Sequence, residues 1–490
     1  MKRGTSVRSQ TGQALILLAL AFIGLAAFAG LAIDAGILFS HIGHLRRAVD
    51  AASLAAAGQF REGRSAAELS AMALQVIELN GLNATSAFAM VCDREDPGSD
   101  YDDPKLCPGG ENPPPETTTE SYRKFVRVQA QLPVNFAFLP IIGWSSVTIQ
   151  ANAISEAASV DIVLAIDTSE SMAFDGGSEF LRDPDNCNPI DDCHPFEEVR
   201  ENAKLLVERT YFPYDRVGLV TFDREATLEL ALEDGTTEAV VLDALDAMQV
   251  FSQPPCLGWD LSGDPRGCTS TNIADGLRFA GTEFCKDTPP SGNGDGECDP
   301  DEMREEAVWI VVLLTDGAAN AAVNSAAPPV EPGRWLCPGS LSAPTWVQPF
   351  CRDEKFEIGP GEYGFDAEDA AEAMGYFAGC PNPDLEQKGG CAASGGGQGA
   401  VIFTIGLGDL VTNNTTCDLA AYPDGCEEDS AEKLLRYIAA VGDDGDPTTD
   451  DCGGVISGVS CGNYYFAEEG FELEEVFEAI ASRIFTRITH

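Results

Sequence analysis

Histidine is scarce in this chain of 490 residues, which has only four. His41 and His44 adjoin a long apolar run, His194 follows Cys193, and His490 is the last residue. None is placed to serve as the base of a Ser/His/Asp triad, so that class of hydrolase has no candidate here. The spacing C-x₂-C is missing as well, which removes the usual starting point of a cysteine-rich zinc site. Basic residues are few: 30 Lys and Arg stand against 79 Asp and Glu, for a net charge of −49. Phosphate backbones are held by clustered cations, so no nucleic acid is expected as a partner. Apolar residues, by contrast, are plentiful at 44%, with 25 Phe. That is ample material for a folded core, and the length suggests about two to four domains. The even count of 16 cysteines points to an oxidising compartment.

The charge is unevenly distributed. Residues 1–65 hold seven basic and three acidic residues, +4, so the remaining 425 carry −53. Within the basic end, Ala14 to Ile33 is a run of 20 residues without a charge or a proline. As a helix it spans about 30 Å, the thickness of a bilayer core. Lys2, Arg3 and Arg8 precede it, so the positive-inside rule keeps the N-terminus cytoplasmic and the remainder extracytoplasmic. A signal peptide has a shorter apolar stretch and a small-x-small cleavage site before a polar start. This run instead continues into a second helical stretch with no breaker before Gly58, which favours an uncleaved single-pass anchor in the cell membrane. Ala26, Gly30 and Asp34 share one helical face, where small residues permit contact with another helix or simply face lipid.

Three pieces of this segment carry a resemblance: Gly12-Gln13-Ala14, Asp34-Ala35-Gly36 and Ala48-Val49-Asp50-Ala51-Ala52. Residues 10–60 resemble the N-terminal segment of Tad-type (tight adherence) pilus-assembly proteins of the TadE/TadG-like group. Pilin-like members cut by a prepilin peptidase carry Glu five residues after the cleavage-site Gly. Counted from Gly12 that place is Leu17, so the resemblance implies a membrane-retained accessory protein, with Tad pilus components as candidate partners.

The chain divides by pattern into 1–60, 61–158 and 159–490. The middle stretch is helical over 66–82, then passes through a Pro- and acid-rich loop into FVRVQAQLPVNFAF and SVTIQANAISEA. Those two alternate apolar and polar residues as half-buried strands do, giving a small membrane-proximal α+β module or a structured spacer. From residue 159, apolar strands (VDIVLAID, DRVGLVTFD, AVWIVVLLTD, AVIFTIGLGD, NYYFA) alternate with helical patterns. Such alternation predicts an α/β fold, doubly wound around a mostly parallel sheet and Rossmann-like. ATLELALE, close behind DRVGLVTFD, reads as an antiparallel edge strand.

Ligands in these folds gather at the carboxyl ends of the strands. There the chain places Asp167, Ser169 and Ser171 as D-x-S-x-S, Thr271 at the start of a helix, and Asp316 after VVLLT. Two carboxylates and three hydroxyls, with no His or Cys, suit a hard cation that keeps some water, namely Mg²⁺ or Mn²⁺. The constellation DTSES, TNIADGL, LLTDG and a terminal YYFA…ELEEVFEAIASRI is similar to the metal-ion-dependent adhesion site of von Willebrand factor type A domains over about 159–488. The resemblance implies that Ser169, Ser171 and Thr271 bind the ion directly while Asp167 and Asp316 act mainly through water. It also implies a protein ligand that presents an acidic residue to the ion. A vestigial, metal-free site is the alternative.

The cysteines fall in successive close pairs, 92/107, 187/193, 256/268, 285/298, 337/351, 380/391, 417/426 and 452/461, each in a Pro-, Gly- or acid-rich insertion. Eight local disulfides pinning long loops are the simplest pairing; a closed loop of ~15 residues contributes roughly 3 kcal/mol. The stretch 291–302 places oxygens at most positions of a Ca²⁺ loop, but Ser291 stands where Asp is usual and no strong flanking helix pair is evident, so a solvated acidic loop is the favoured reading and a Ca²⁺ site the alternative. Taken together these patterns predict a membrane-anchored, extracytoplasmic adhesion or pilus-assembly protein and no enzyme. A structural pilin-like subunit is the first alternative. A metal-dependent hydrolase is the second, although D-x-D-x-T phosphatases need an Asp where Ser169 stands.

Overall fold

A computed structural model of the chain describes residues 11–60, 64–92, 106–107, 123–173, 193–223, 225–233, 235–250, 271–284, 304, 307–319, 367–380, 398–412, 430–445 and 457–487. Two units are distinct, one of Met1–Pro115 with Arg123–Ala157 and one running from Ala158 to His490.

In the first unit, Thr11–Phe60 form one helix, α1, in a stretch that contains no proline. Its two halves differ in kind. From Leu15 to Ile33 the large apolar side chains are exposed all round, a pattern that suits lipid and not a water-facing surface. From Leu45 onward, Leu45, Ala48, Val49, Ala52, Ala56 and Phe60 repeat at helical spacing and are buried. This second half packs against the sheet that follows. The helix is long and apolar enough to cross a membrane, a property shared by signal sequences.

Helix α2 (Ala66–Leu79) opens with a capping box in which Ser65 and Glu68 satisfy each other's backbone N–H groups. Strands β1 (Ser86–Val91), β2 (Lys124–Asn135) and β3 (Ser146–Ala157) form an antiparallel sheet in the order β1-β2-β3. Strands β2 and β3 match the two alternating stretches read from the sequence, whereas β1 lies between the 66–82 helix and the loop, where no strand was read. The segment Ser86-Ala-Phe-Ala-Met-Val91 is short and half of it is small residues, so its strand character comes from pairing with β2. The face of Gly30 and Asp34 meets neither a second helix nor open lipid. It packs on the β2–β3 connection, where a side chain on Gly30 would stand 3.0 Å from the Phe138 ring.

The second unit is built on a six-stranded sheet in the order β6-β5-β4-β7-β8-β9. The strands are β4 (Val160–Asp167), β5 (Arg216–Phe222), β6 (Ala226–Leu230), β7 (Val308–Thr315), β8 (Val401–Leu407) and β9 (Tyr464–Ala467). All neighbours are parallel except β6, which is the antiparallel edge predicted from ATLELALE. Every residue of β4 is buried, as a central strand covered on both faces requires. Ile162, Leu164 and Ile166 point to one face and meet α3 (Phe196–Val207), α4 (Glu238–Ala247) and α9 (Leu473–Arg487). Val163 and Ala165 point to the other, toward α5 (Ile273–Thr282), α6 (Ala367–Gly379) and α8 (Ser430–Asp444). A short helix α7 (Asp409–Thr412) follows β8 and buries Val411 against the same face.

At the amino end of this sheet lies a buried ion cluster. Asp161 on β4 takes two hydrogen bonds from Arg216 on β5, at 2.9 and 2.6 Å, and one from Arg304 at 3.0 Å. Arg304 also donates to the carbonyl of Tyr214 at 3.0 Å. Nearby, Asp215 accepts the backbone N–H groups of Val160 and Tyr211, both at 2.9 Å.

Cys92 and Cys107 form the disulfide expected of them. Cys193, Cys380 and Cys461 are also disulfide-bonded, and no described cysteine is free. The pairings of those three, the remaining expected pairs and the 291–302 stretch lie outside the described residues.

Candidate metal centre

Parallel strands carry their carboxyl ends to one edge of a sheet, so residues distant in sequence meet there. Strand β4 is flanked by β5 and β7, with Asp167 opposite Phe222 and Ile166 opposite Leu314. Asp167 closes β4, Asp223 follows β5, and Asp316 follows β7. Three carboxylates thus leave three adjacent strands.

Asp167 shapes the turn after its own strand. Its Oδ1 accepts the Ser169 N–H at 2.8 Å, an Asx-type closure that bends the chain into the short 3₁₀ turn Glu170–Ala173. Its Oδ2 accepts the Thr315 hydroxyl at 2.6 Å, tying β4 to β7. The bend brings Ser169 Oγ and Ser171 Oγ to 2.9 Å from each other. Ser171 Oγ then donates to Asp316 Oδ1 at 2.8 Å. Four of the five sequence-predicted residues therefore share one hydrogen-bonded cluster.

The fifth, Thr271, is brought in by α5. It is buried, and a Cβ built on Gly317 would lie 3.8 Å from its Oγ1, so its hydroxyl borders the residue after Asp316. The helix start is fixed at two points. Asn272 Oδ1 accepts the Asp275 N–H at 3.1 Å as an N-cap, and the Asn272 N–H donates to the Asp223 carbonyl at 2.8 Å. One turn on, Gly276 lets α5 lie directly on β5, since a Cβ there would stand 2.7 Å from the Phe222 ring. Gly276→Ala should therefore destabilise the second unit by about 1–3 kcal/mol through overpacking. It should also weaken divalent-cation binding, because Thr271 rides on the displaced helix. Urea midpoints and a Mg²⁺ titration of the variant check both outcomes.

Asp167 and Asp316 are both buried. Burial pushes the Asp167 carboxyl up to about 6, against the hydrogen bonds from Thr315 and Ser169, with the charge of Asp223 adding to the rise. Asp316 is raised well above the ordinary carboxylate range by burial first and by the charge of Asp167 second. Among the described residues no cationic side chain offsets either group, and no cluster of three or more His, Cys, Asp or Glu has metal-holding geometry. Hydroxyls complete the donor set. All-oxygen donors with two buried carboxylates fit a hard divalent cation.

A pH effect follows from the sign of these shifts. A carboxyl at about 6 in the folded protein and 3.8 in the unfolded chain keeps its proton longer when folded. Metal-free protein should then lose stability as pH rises from about 4 to about 6, by up to about 3 kcal/mol from Asp167, with the raised carboxyl of Asp316 adding to the loss in the same direction. Chemical denaturation across that range, in wild type and Asp167→Asn, checks it: the slope should flatten in the variant.

Asp223 was not among the residues predicted for the site. Its signal was present, because VTFD ends in an acid as VLAID and VLLTD do.

A family model for the von Willebrand factor type A domain matches the chain over the stretch that contains all five predicted residues. A von Willebrand factor type A domain is found at residues 162–318. The type A domain match ends at Ala318, while β8 and β9 extend the same sheet beyond it. No protein of curated function matches the chain. Among solved structures, proximal thread matrix protein 1 from the mussel byssus, with a zinc-occupied MIDAS motif, is 16% identical over 67% of this chain and 46% of its own, at a TM-score of 0.30. The chain thus spans under half the length of that byssus protein. The vWF domain of the type V pili tip protein Mfa5 from Porphyromonas gingivalis is 14% identical over 68% of this chain and 97% of that one, at 0.35. A mutant of the PilB minor pilin from Streptococcus sanguinis is 15% identical over 75% and 76%, also at 0.35.

Proposed function

We propose that the protein is a membrane-anchored, extracytoplasmic adhesion or pilus-assembly module that binds a protein partner through a divalent cation, with Mg²⁺ or Mn²⁺ preferred. The observation that carries this reading is the single cluster formed by Asp167, Ser169, Ser171 and Asp316, with Thr271 bordering it. Two buried carboxylates side by side disfavour their own ionised forms, and a cation among them removes that conflict. The bound ion supplies an electrophilic position that a partner's acidic side chain completes.

The chain's own residues do the rest. Ser169, Ser171 and Thr271 contribute neutral oxygens, which keeps the ligand charge low. Asp167 and Asp316 contribute the negative charge and hold the hydroxyls in place. Ser171 is the partly exposed member, so the partner's approach is from its side. In the first unit, residues 14–33 serve as the anchor with the N-terminus cytoplasmic. The Tad-like segment within 1–60 makes Tad pilus components the first partners to test. Residues 61–158 form the membrane-proximal module, and 159–490 the partner-binding domain with its loops clasped by local disulfides. The hydroxyls and carboxylates are assigned here to holding the cation, so the role is adhesion and not turnover.

Binding of the purified full chain to sheared pilus fractions from its source cells tests the reading. Retention should require Mg²⁺ or Mn²⁺, and both EDTA and Asp167→Ala should abolish it. Retention that survives chelation and the substitution would sink the metal-bridged mechanism and favour a pilin-like structural role.

A further inference from the structure

The connection between β2 and β3 is the apolar segment Phe136-Ala-Phe-Leu-Pro-Ile-Ile-Gly-Trp144, with no charged residue through Val147. Its tip is a 3₁₀ turn, Leu139–Ile142, closed by Gly143 at φ 95°. Ile141, Ile142 and Trp144 are 83%, 76% and 70% exposed, a concentration of large apolar side chains that water disfavours.

The position of this tip along α1 decides what covers it. Phe138 packs on Gly30, three residues inside the end of the 14–33 run, which places it about 4.5 Å below the end of that run. Beside it a largely apolar crevice of about 450 Å³ opens, lined chiefly by Leu31, Leu38, Phe136, Leu139, Trp144 and Val147, with Asp34 and Ser146 its polar members. If residues 14–33 cross a bilayer, the tip lies at the boundary between hydrocarbon and headgroups. Trp is favoured at that boundary.

Asp34 resolves the polar cost of such a location. Its carboxylate is buried and accepts the N–H groups of Ala137, Phe138 and Leu139 at 2.6, 3.0 and 2.7 Å. Those are the donors that open the 3₁₀ turn, and a lipid environment offers them no other partner.

We propose that the β2–β3 tip, Phe138–Trp144, is a second membrane element that inserts into the extracytoplasmic interface of the bilayer crossed by α1, with lipid acyl chains filling the Leu31–Trp144 crevice. The tip and Asp34 together set the depth and rotation of α1. This inference rests on the reading of residues 14–33 as a membrane span.

The test uses the full chain reconstituted in phosphatidylcholine–phosphatidylglycerol vesicles whose acyl chains are brominated close to the headgroup. Wild-type tryptophan fluorescence should be quenched, and Trp144→Phe should remove that quenching. Ile141→Asp with Ile142→Asp should also lose it while the chain stays in the membrane through alkaline carbonate extraction. Equal quenching in wild type and Trp144→Phe, with carbonate resistance intact, overturns the insertion of the tip and leaves the span standing. Release of the wild-type chain by carbonate overturns the span and the inference together.

Discussion

Asp167→Ala should abolish the stabilisation expected from Mg²⁺. In wild type, Mg²⁺ at about 100 times its dissociation constant should raise unfolding free energy by ~2.7 kcal/mol. The variant should show no such response at the same concentration. The reason lies in what Asp167 holds. It supplies one of the two buried charges of the cluster, and its two oxygens fix Ser169 through its N–H and β7 through Thr315. Without it the hydroxyl pair loses its turn and Asp316 loses its neighbour. Asp223→Asn is the informative control. That carboxylate acts on Asp167 through its charge, so its removal should weaken Mg²⁺ binding by only about tenfold. Thermal unfolding with and without Mg²⁺ separates the two variants.

Asp161→Ala is expected to produce the largest loss of stability, about 3–5 kcal/mol, for a reason unrelated to the cation. Asp161 is fully buried and takes charge-assisted bonds from Arg216 and Arg304. Its removal takes from two buried guanidinium groups the carboxylate that both of them bond. Asp161 and Asp167 are at opposite ends of β4, so the variant's folded fraction should still bind Mg²⁺ with unchanged affinity. A loss of affinity equal to that of Asp167→Ala would mean that the two ends are coupled through the strand. Urea denaturation followed by titration of the folded protein distinguishes these results.

The contrast between these two aspartates shows what was legible in the sequence. Asp167 sits in D-x-S-x-S at the end of an apolar run, and Asp316 ends a second such run. Both signals are local, and the parallel order of β4 and β7 brings Ser171 of the D-x-S-x-S and Asp316 together across 145 positions. Alternating strands and helices were enough to expect that order. Thr271 was readable from its place at a helix start, and the antiparallel edge from its closeness to the preceding strand. Asp161 gave no comparable signal. In a chain with 79 acidic residues one more acid before an apolar run reads as surface, and Arg304 lies in a stretch with no motif.

Asp34 was misread in a different way. Its helical face was visible, and the small residues on it pointed to a second helix or to lipid. The actual neighbour is a loop about a hundred residues later, and only the pairing of β2 with β3 brings that loop beside α1. Strand β1 was missed because its pairing with β2, and not its composition, makes it a strand. Contacts set by register between separated segments are what periodicity within a window does not contain.

Binding of Mn²⁺ to the full-length protein at pH 7, followed by electron paramagnetic resonance, tests the metal centre most directly. A chain with a net charge of −49 attracts cations everywhere, so the decisive comparison is with Ser169→Ala/Ser171→Ala, which keeps the charge and both carboxylates. Wild type should bind a single tight Mn²⁺ that Mg²⁺ displaces, and the double variant should lose that site while retaining the weak background. Tight Mn²⁺ binding of equal strength in the two proteins, or none in either, would contradict a metal centre built from Asp167, Ser169, Ser171, Thr271 and Asp316.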